Sequence, residues 1–179
     1  MINLKAAVLL TSVCVLAACS PSTPPEMADL ENSILTATGS TLGTFTLKDL
    51  GEGGTQVTVS ISGLDGAGTH AMHFHEFGLC DAPDFTSAGG HKNPMDMAHG
   101  KLAADGPHAG DMMNIEVGDD GTGSLSVINQ LVSINGEHGL PALLDEDGTA
   151  LIIHEKADDY ITQPTGAAGG RIGCALIEL

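Results

Sequence analysis

The chain has 179 residues, 42 % of them hydrophobic and only 16 % charged, a length that bounds it to one domain with or without a tail. Its 23 Asp+Glu outweigh 6 Lys+Arg, for a formal net charge of −17, which excludes the basic footprint that nucleic-acid binding requires. Aromatic residues, at 3 %, are too few for base-stacking platforms, whereas the 8 histidines outnumber all lysines and arginines together.

In chain order, residues 1–19 read MINLKAAVLLTSVCVLAAC. Lys5 supplies a short positive segment, and residues 6–18 are apolar or small and uncharged. The run is short for a bilayer-spanning helix, which needs about 20 residues, and it suits a secretory signal peptide. Its end, Leu16-Ala17-Ala18-Cys19, resembles a bacterial lipoprotein processing site, in which Cys19 is lipidated and becomes the mature N-terminus. A plain cleaved signal or a buried apolar strand are the alternatives. Ser20, directly after Cys19, resembles the pattern of outer-membrane retention. The expected location is therefore the bacterial cell envelope, as a periplasm-exposed or surface lipoprotein of the outer membrane held by an N-terminal lipid anchor. Residues 20–32, SPSTPPEMADLEN, are rich in Pro and acids and lack apolar periodicity, as a flexible tether does. The expected organisation is a signal peptide at 1–18, a tether at 19–32 and a folded domain at 33–179.

Within the domain, alternating patterns and turn signals predict strands over 42–47, 56–61, 69–75, 114–117, 124–128, 150–154 and 172–179. Val57, Val59 and Ile61 share one face of the clearest of them. Glycine-rich turns stand at 51–54 and 118–123. No sustained 3.6-residue period, phosphate-binding glycine loop or internal repeat is present. Seven or eight short strands in about 145 residues predict an all-β fold, a sandwich or a Greek-key barrel. Residues 78–111 show almost no strand pattern, and loops of that length are functional or disordered. With Cys14 in the signal and Cys19 spent on lipid, Cys80 and Cys174 remain in an exported domain. A disulfide is their default fate, although spacing alone does not exclude a thiolate–metal role.

The histidines carry the chemistry. His73 and His75 are two apart on a strand and share a face, so both imidazoles can chelate one metal. His70 has the other parity and reads as a structural hydrogen-bonding residue. His91, His99, His108 and Asp111 fall in one glycine-rich loop between positions 91 and 111. Three imidazoles and a carboxylate make a four-coordinate zinc set. His154 ends the apolar run ALIIH, where it is either an edge-buried residue or the last member of a histidine-rich copper site. Imidazole suits copper and zinc alike, so ligand type does not assign the metals.

The blocks THAMHFHEFGLC, SAGGHKNP, HG followed by DGPHAGD, IIHEKADDY and TGAAGGRIGCALI, in that order over residues 34–179, resemble the signature blocks of copper/zinc superoxide dismutases of the bacterial exported type. The resemblance implies an eight-stranded Greek-key β-barrel, of immunoglobulin-like sandwich architecture, with long metal-binding loops. It implies a Cu cation held by His73, His75, His91 and His154, and Zn(2+) held by His91, His99, His108 and Asp111, with His91 as the shared imidazolate. Arg171 matches the active-site arginine, Asp158 the carboxylate linking a copper histidine to a zinc histidine, and Cys80 with Cys174 the family disulfide. Departures are Ala71, where the family commonly has Gly, and Lys92, where it commonly has an aromatic residue.

The implied reaction turns two superoxide anions and two protons into dioxygen and hydrogen peroxide, with copper cycling between two oxidation states. His91 carries a proton and Arg171 orients the anion. An acidic chain acting on an anion needs local positive potential, and Lys92, beside a ligand, is the expected steering residue. Expected partners are superoxide and a membrane, with no nucleic acid, in a monomer or homodimer. The rival readings are a copper- or zinc-buffering lipoprotein on the same scaffold and an adhesive β-domain with incidental histidines.

Overall fold

The computed structural model describes residues 29–178. The expected signal peptide, Cys19 and residues 20–28 of the tether lie outside the described residues.

Nine strands form in chain order: β1 (Leu30–Leu35), β2 (Thr41–Asp49), β3 (Thr55–Ile61), β4 (Gly68–His70), β5 (Met72–His75), β6 (Ile115–Val117), β7 (Gly123–Asn129), β8 (Thr149–His154) and β9 (Arg171–Ile177). Short local connections make β1–β2 and β2–β3 antiparallel neighbours, the second pair through a 3-10 turn over Gly51–Gly53. Strand alternation then decides the core. Val57, Val59 and Ile61 of β3 point inward with Phe45 and Leu47 of β2, Leu151 and Ile153 of β8, and Ile34 of β1. On the outer face Gln56 and Thr58 reach Ser126 of β7 at 2.9 and 3.0 Å.

The closed eight-stranded barrel does not form. Seven strands make one antiparallel sheet in the order β5-β8-β9-β1-β2-β3-β7, and β4 with β6 makes a separate two-stranded ladder. The sheet curls into a half-barrel whose edges stay 10 Å apart. The reason lies at the β5 edge. Its outward hydrogen-bonding groups are taken by loop backbone: Phe74 N–H donates to the Gly110 carbonyl, Lys92 N–H to the Phe74 carbonyl and Glu76 N–H to the Gly90 carbonyl. With those groups engaged, no strand closes the ring.

Two further boundaries differ from expectation. Strand β1 starts at Leu30, inside the segment expected to be tether, because Leu30–Asn32 pair with Phe45–Leu47. The strand expected over 69–75 breaks at Ala71, which donates its N–H to the Lys156 carbonyl and accepts from His154 N–H. The chain changes sheet there: His70 pairs with Ile115 of β6, and Met72 pairs with Ile153 of β8.

Strand β8 is buried along its whole length, which explains its near-continuous apolar sequence. Leu151 and Ile153 face the main core. Ala150 and Ile152 face a second cluster with Phe85, Ala88 and Cys174. Cys80 and Cys174 are disulfide-bonded with Cα atoms 5.8 Å apart, which ties the long loop after β5 to β9.

Candidate metal centre

The site forms where β5 meets the ligand-bearing loop. His73 and His75 leave β5 on the same side, and isolated bridges set His73 opposite Asp111 and His75 opposite His91. His154 arrives from the end of β8, the strand paired to the other edge of β5. Nitrogens of His73, His75, His91 and His154 all lie within 4.8 Å of one another, and all four residues are buried.

Hydrogen bonds on the far side of each ring fix which nitrogen faces inward. His73 donates from Nε2 to Asp158 Oδ2 at 3.0 Å. His75 donates from Nδ1 to the Gly89 carbonyl at 3.0 Å, leaving its Nε2 3.4 Å from His154 Nε2. Among the described residues, His73 Nδ1 and His91 Nε2 are buried without a hydrogen-bond partner. A buried imidazole nitrogen left unpaired is costly, and both nitrogens belong to the four-histidine cluster.

The other nitrogen of His91 serves a second cluster. His91 Nδ1 is 2.9 Å from Asp111 Oδ1 and 3.4 Å from His108 Nδ1. His99 Nδ1 lies 3.1 Å from the same carboxylate oxygen, and His108 Nδ1 lies 3.3 Å from it. Asp111 Oδ2 is held by the backbone N–H groups of Gly100 and His108 at 2.8 and 3.0 Å. The second set of groups whose donor atoms all lie within 4.8 Å of one another is His73, His91, His99 and Asp111, without His108; the His73 ring stacks on His91 with centroids 3.8 Å apart, and its Nε2 is committed to Asp158.

The electrostatics suit cation binding. Burial pushes His73 down to about 4 and His154 down to about 3, and drives His75 far below its ordinary range. All three are held in the neutral form that ligates metal. Burial works against charge on His99 too, but hydrogen bonds to Asp111 and Asp158 outweigh it and raise His99 to about 9. In the metal-free chain a proton on His99 therefore offsets one of the two negative charges carried by Asp111 and Asp158. Asp111, despite burial, is driven well below the usual carboxylate range by His91 and His99. One buried nitrogen set and one nitrogen–carboxylate set, joined by a ring with a nitrogen in each, fit two metal ions.

Residues 41–177 match the family described as copper/zinc superoxide dismutase. The chain belongs to that family. A copper–zinc superoxide dismutase of Caulobacter vibrioides is 42 % identical over 126 residues, covering 70 % of this chain and 72 % of the relative. The crystal structure of a superoxide dismutase-like protein from Bacillus subtilis aligns with TM-score 0.77 at 37 % identity, covering 83 % of this chain and 97 % of that one. The copper/zinc superoxide dismutase of Brucella abortus aligns with TM-score 0.66 at 25 % identity, covering 84 % and 100 %.

In this superoxide dismutase domain Asp158 spans the two clusters, accepting from His73 Nε2 and from His99 Nε2, each at 3.0 Å. Arg171, at the start of β9, donates from Nη1 to the Phe85 carbonyl at 2.5 Å and from Nη2 to the Gly89 carbonyl at 2.6 Å. The Gly89 carbonyl thus holds both Arg171 and His75. Lys92 is the residue expected to steer superoxide. It is 5 % exposed and its Nζ donates to Asp145 Oδ2 at 2.6 Å, so its charge is buried and paired.

Several functional partners escape sequence reading. Gln163 clamps the backbone of His99, accepting from its N–H at 2.7 Å and donating to its carbonyl at 2.8 Å. Asn114 holds both backbone groups of Asp158, at 2.9 and 3.0 Å. The Phe85 and Gly89 carbonyls are backbone and leave no side-chain signal. His70 donates from Nδ1 to the His154 carbonyl at 2.9 Å and steadies β8 at the ligand.

Proposed function

We propose that the chain dismutates superoxide, 2 O2•− + 2 H+ → O2 + H2O2, with copper held by His73 Nδ1, His75 Nε2, His91 Nε2 and His154 Nε2. Zinc would be held by His91, His99 and His108 through Nδ1 and by Asp111 through Oδ1. The observation that carries this reading is the pair of buried unpartnered nitrogens, His73 Nδ1 and His91 Nε2, together with the engagement of the second nitrogen of His91 at Asp111.

When bound, copper supplies a one-electron couple between Cu(II) and Cu(I), and zinc a fixed positive charge. The chain supplies orientation, charge and a proton site. Arg171 presents its guanidinium beside His75 to the incoming anion, with its fork fixed by two carbonyls. His91 Nε2, when it is not ligating copper, would hold a proton for the second superoxide, while Nδ1 stays engaged on the other side of the ring. Asp158 holds His73 and His99 by their Nε2 atoms, so that the Nδ1 atom of each ring would face a metal. Burial holds His73, His75 and His154 neutral, so these three raise no positive charge against copper.

The leader supports placement in a bacterial envelope, with Cys19 lipidated, the domain facing the periplasm or cell surface, and the outer membrane as the anchoring bilayer. The uncharged run over 6–18 and the Leu16-Ala17-Ala18-Cys19 block support this. Replacing Cys19 by Ser is expected to move the protein from the membrane to the soluble fraction; unchanged partitioning would refute the lipid anchor.

The deciding experiment measures metal content and dismutation of the purified protein before and after chelation. One copper and one zinc per chain, with activity lost on chelation and restored by both ions, is the expected result. Stoichiometric metal without dismutation would favour a metal-buffering role and refute the enzymatic reading.

A further inference from the structure

Lys92 follows the shared histidine directly, and its backbone closes a ring of three hydrogen bonds. Phe74 N–H donates to the Gly110 carbonyl at 2.9 Å, Lys92 N–H to the Phe74 carbonyl at 2.8 Å, and Gly110 N–H to the Lys92 carbonyl at 2.9 Å. Phe74 sits between His73 and His75, Lys92 beside His91, and Gly110 between His108 and Asp111. One small backbone ring therefore joins the segments carrying every candidate ligand except His99 and His154. It is tight: a Cβ on Gly110 would lie 2.3 Å from the Phe74 oxygen, so no other residue fits without parting the ring.

The Lys92 side chain leaves this ring through the protein interior and ends on Asp145. Its side chain is 6 % exposed, against 39 % for Asp145. Asp145 belongs to the segment between β7 and β8, which is itself anchored. Val132, Ile134 and Leu143 lie in the main core, and Leu143 and Leu144 N–H groups donate to the Ser133 and Ile134 carbonyls at 2.9 Å. The Asp147 carbonyl accepts from Gly78 N–H at 2.9 Å, which links the same segment to the chain just after β5. A buried ammonium with a single carboxylate partner tolerates misplacement poorly, because a displaced charge is left uncompensated. Such a contact is more discriminating than an apolar one in the same space.

We propose that the Lys92–Asp145 ion pair is a positioning device for the metal centre, holding the Phe74–Lys92–Gly110 ring against the core-anchored segment before β8 and so fixing His91 between its two donor clusters. The proposal rests on the two-metal reading of the site. Lys92 acts through the backbone of its neighbour and touches neither metal nor substrate.

The test uses the full chain and the variants Lys92→Met, Asp145→Asn, the double variant, and Lys92→Arg, which retains the charge. Three quantities are read: zinc affinity of the metal-free protein by chelator competition, the Cu(II) electron paramagnetic resonance spectrum of the copper- and zinc-loaded protein, and thermal unfolding of the metal-free protein. Lys92→Met and Asp145→Asn are each expected to weaken zinc binding about three- to tenfold, less than the roughly 10–100-fold typical of a group that contacts a ligand directly. Both should alter the spectrum, the double variant should be no worse than either single one, and Lys92→Arg should restore zinc affinity and spectrum. Lower melting temperatures with wild-type zinc affinity and spectra would overturn the proposal, leaving the pair as an ordinary structural contact. Fully additive losses in the double variant would overturn it as well. If Lys92→Met does not fold, Asp145→Asn alone decides, since it removes the partner from the more exposed side. Failure of the wild-type chain to bind zinc would overturn the two-metal reading itself, an outcome distinct from wild-type binding that the variants leave unchanged.

Discussion

Gly166 offers a sharp test of how the two clusters are held together. It has φ +66, and a Cβ placed on it would lie 1.8 Å from Asp158 Oδ1, 2.5 Å from its Cγ and 2.7 Å from His99 Nε2. None of these atoms is free to give way. Asp158 accepts from His73, from His99 and, at 2.6 Å, from Tyr160 N–H, while its backbone is pinned by Asn114. Gly166→Ala must therefore expel the carboxylate or move its own segment away from it. The left-handed backbone alone costs an L-residue roughly 1–2 kcal/mol. Loss of the Asp158 bridge adds about 10–100-fold in metal affinity, or about 1.4–2.7 kcal/mol at 1.36 kcal/mol per tenfold. Gly39→Ala is the control, since Gly39 has φ +79 with nothing within 4 Å of its Cβ and bears the backbone cost alone. Zinc affinity by chelator competition and kcat/KM for dismutation should both fall in Gly166→Ala and hold in Gly39→Ala, with similar losses of backbone stability in the two. A Gly166→Ala protein with wild-type zinc affinity and wild-type rate would refute the claim that Asp158 orients the rings.

Removing the disulfide by Cys80→Ser with Cys174→Ser should cost about 4–5 kcal/mol in denaturant unfolding of the metal-free protein, from the chain entropy of a long closed loop; a loss below about 1 kcal/mol would contradict it. Arg171→Gln should lower kcat/KM by about 10–100-fold, the worth of one charged hydrogen bond to an anion, at unchanged metal content; an unaltered rate would remove Arg171 from the mechanism. Acid should destabilise the metal-free protein. His73, His75 and His154 have lowered pKa values when folded, so the unfolded chain binds more protons below about 6.5, and stability should fall toward pH 4 by up to about 1.4 kcal/mol per pH unit per histidine. His99, raised to about 9, acts in the opposite sense: its contribution is complete below about 6.5 and disappears as the pH rises through about 9. Unfolding free energies that stay flat between about pH 4.5 and 6.5 would show that these histidines are not buried as neutral groups.

Side-chain chemistry is legible in the sequence where it depends on residue type and strand parity. His73 and His75 share a face because they are two apart on a strand, and His91, His99, His108 and Asp111 stand in one glycine-rich loop. Their partners are less legible. The orientation of Arg171 depends on the Phe85 and Gly89 carbonyls, which any residue would supply. The burial of Lys92 depends on Asp145, 53 positions away, and a charge beside a ligand reads as exposed until that partner is seen. Strand β1 hides because LENSIL is half polar, with only Ile34 fully buried, and so looks like the end of a tether. The break at Ala71 is set by a backbone contact with Lys156. Closure is illegible for a different reason. Counting strands does not say whether the first and last edges meet, and here loop backbone occupies the edge a closing strand would need.

That occupancy has a consequence for the protein's behaviour in concentrated solution. An unpaired strand edge is a template for another chain to add to, and β-proteins protect such edges. The edge of β5 is guarded by Gly90, Lys92 and Gly110, residues interleaved with the metal ligands themselves. The segment that collects metal is also the cap that keeps another copy of the chain from adding at the β5 edge.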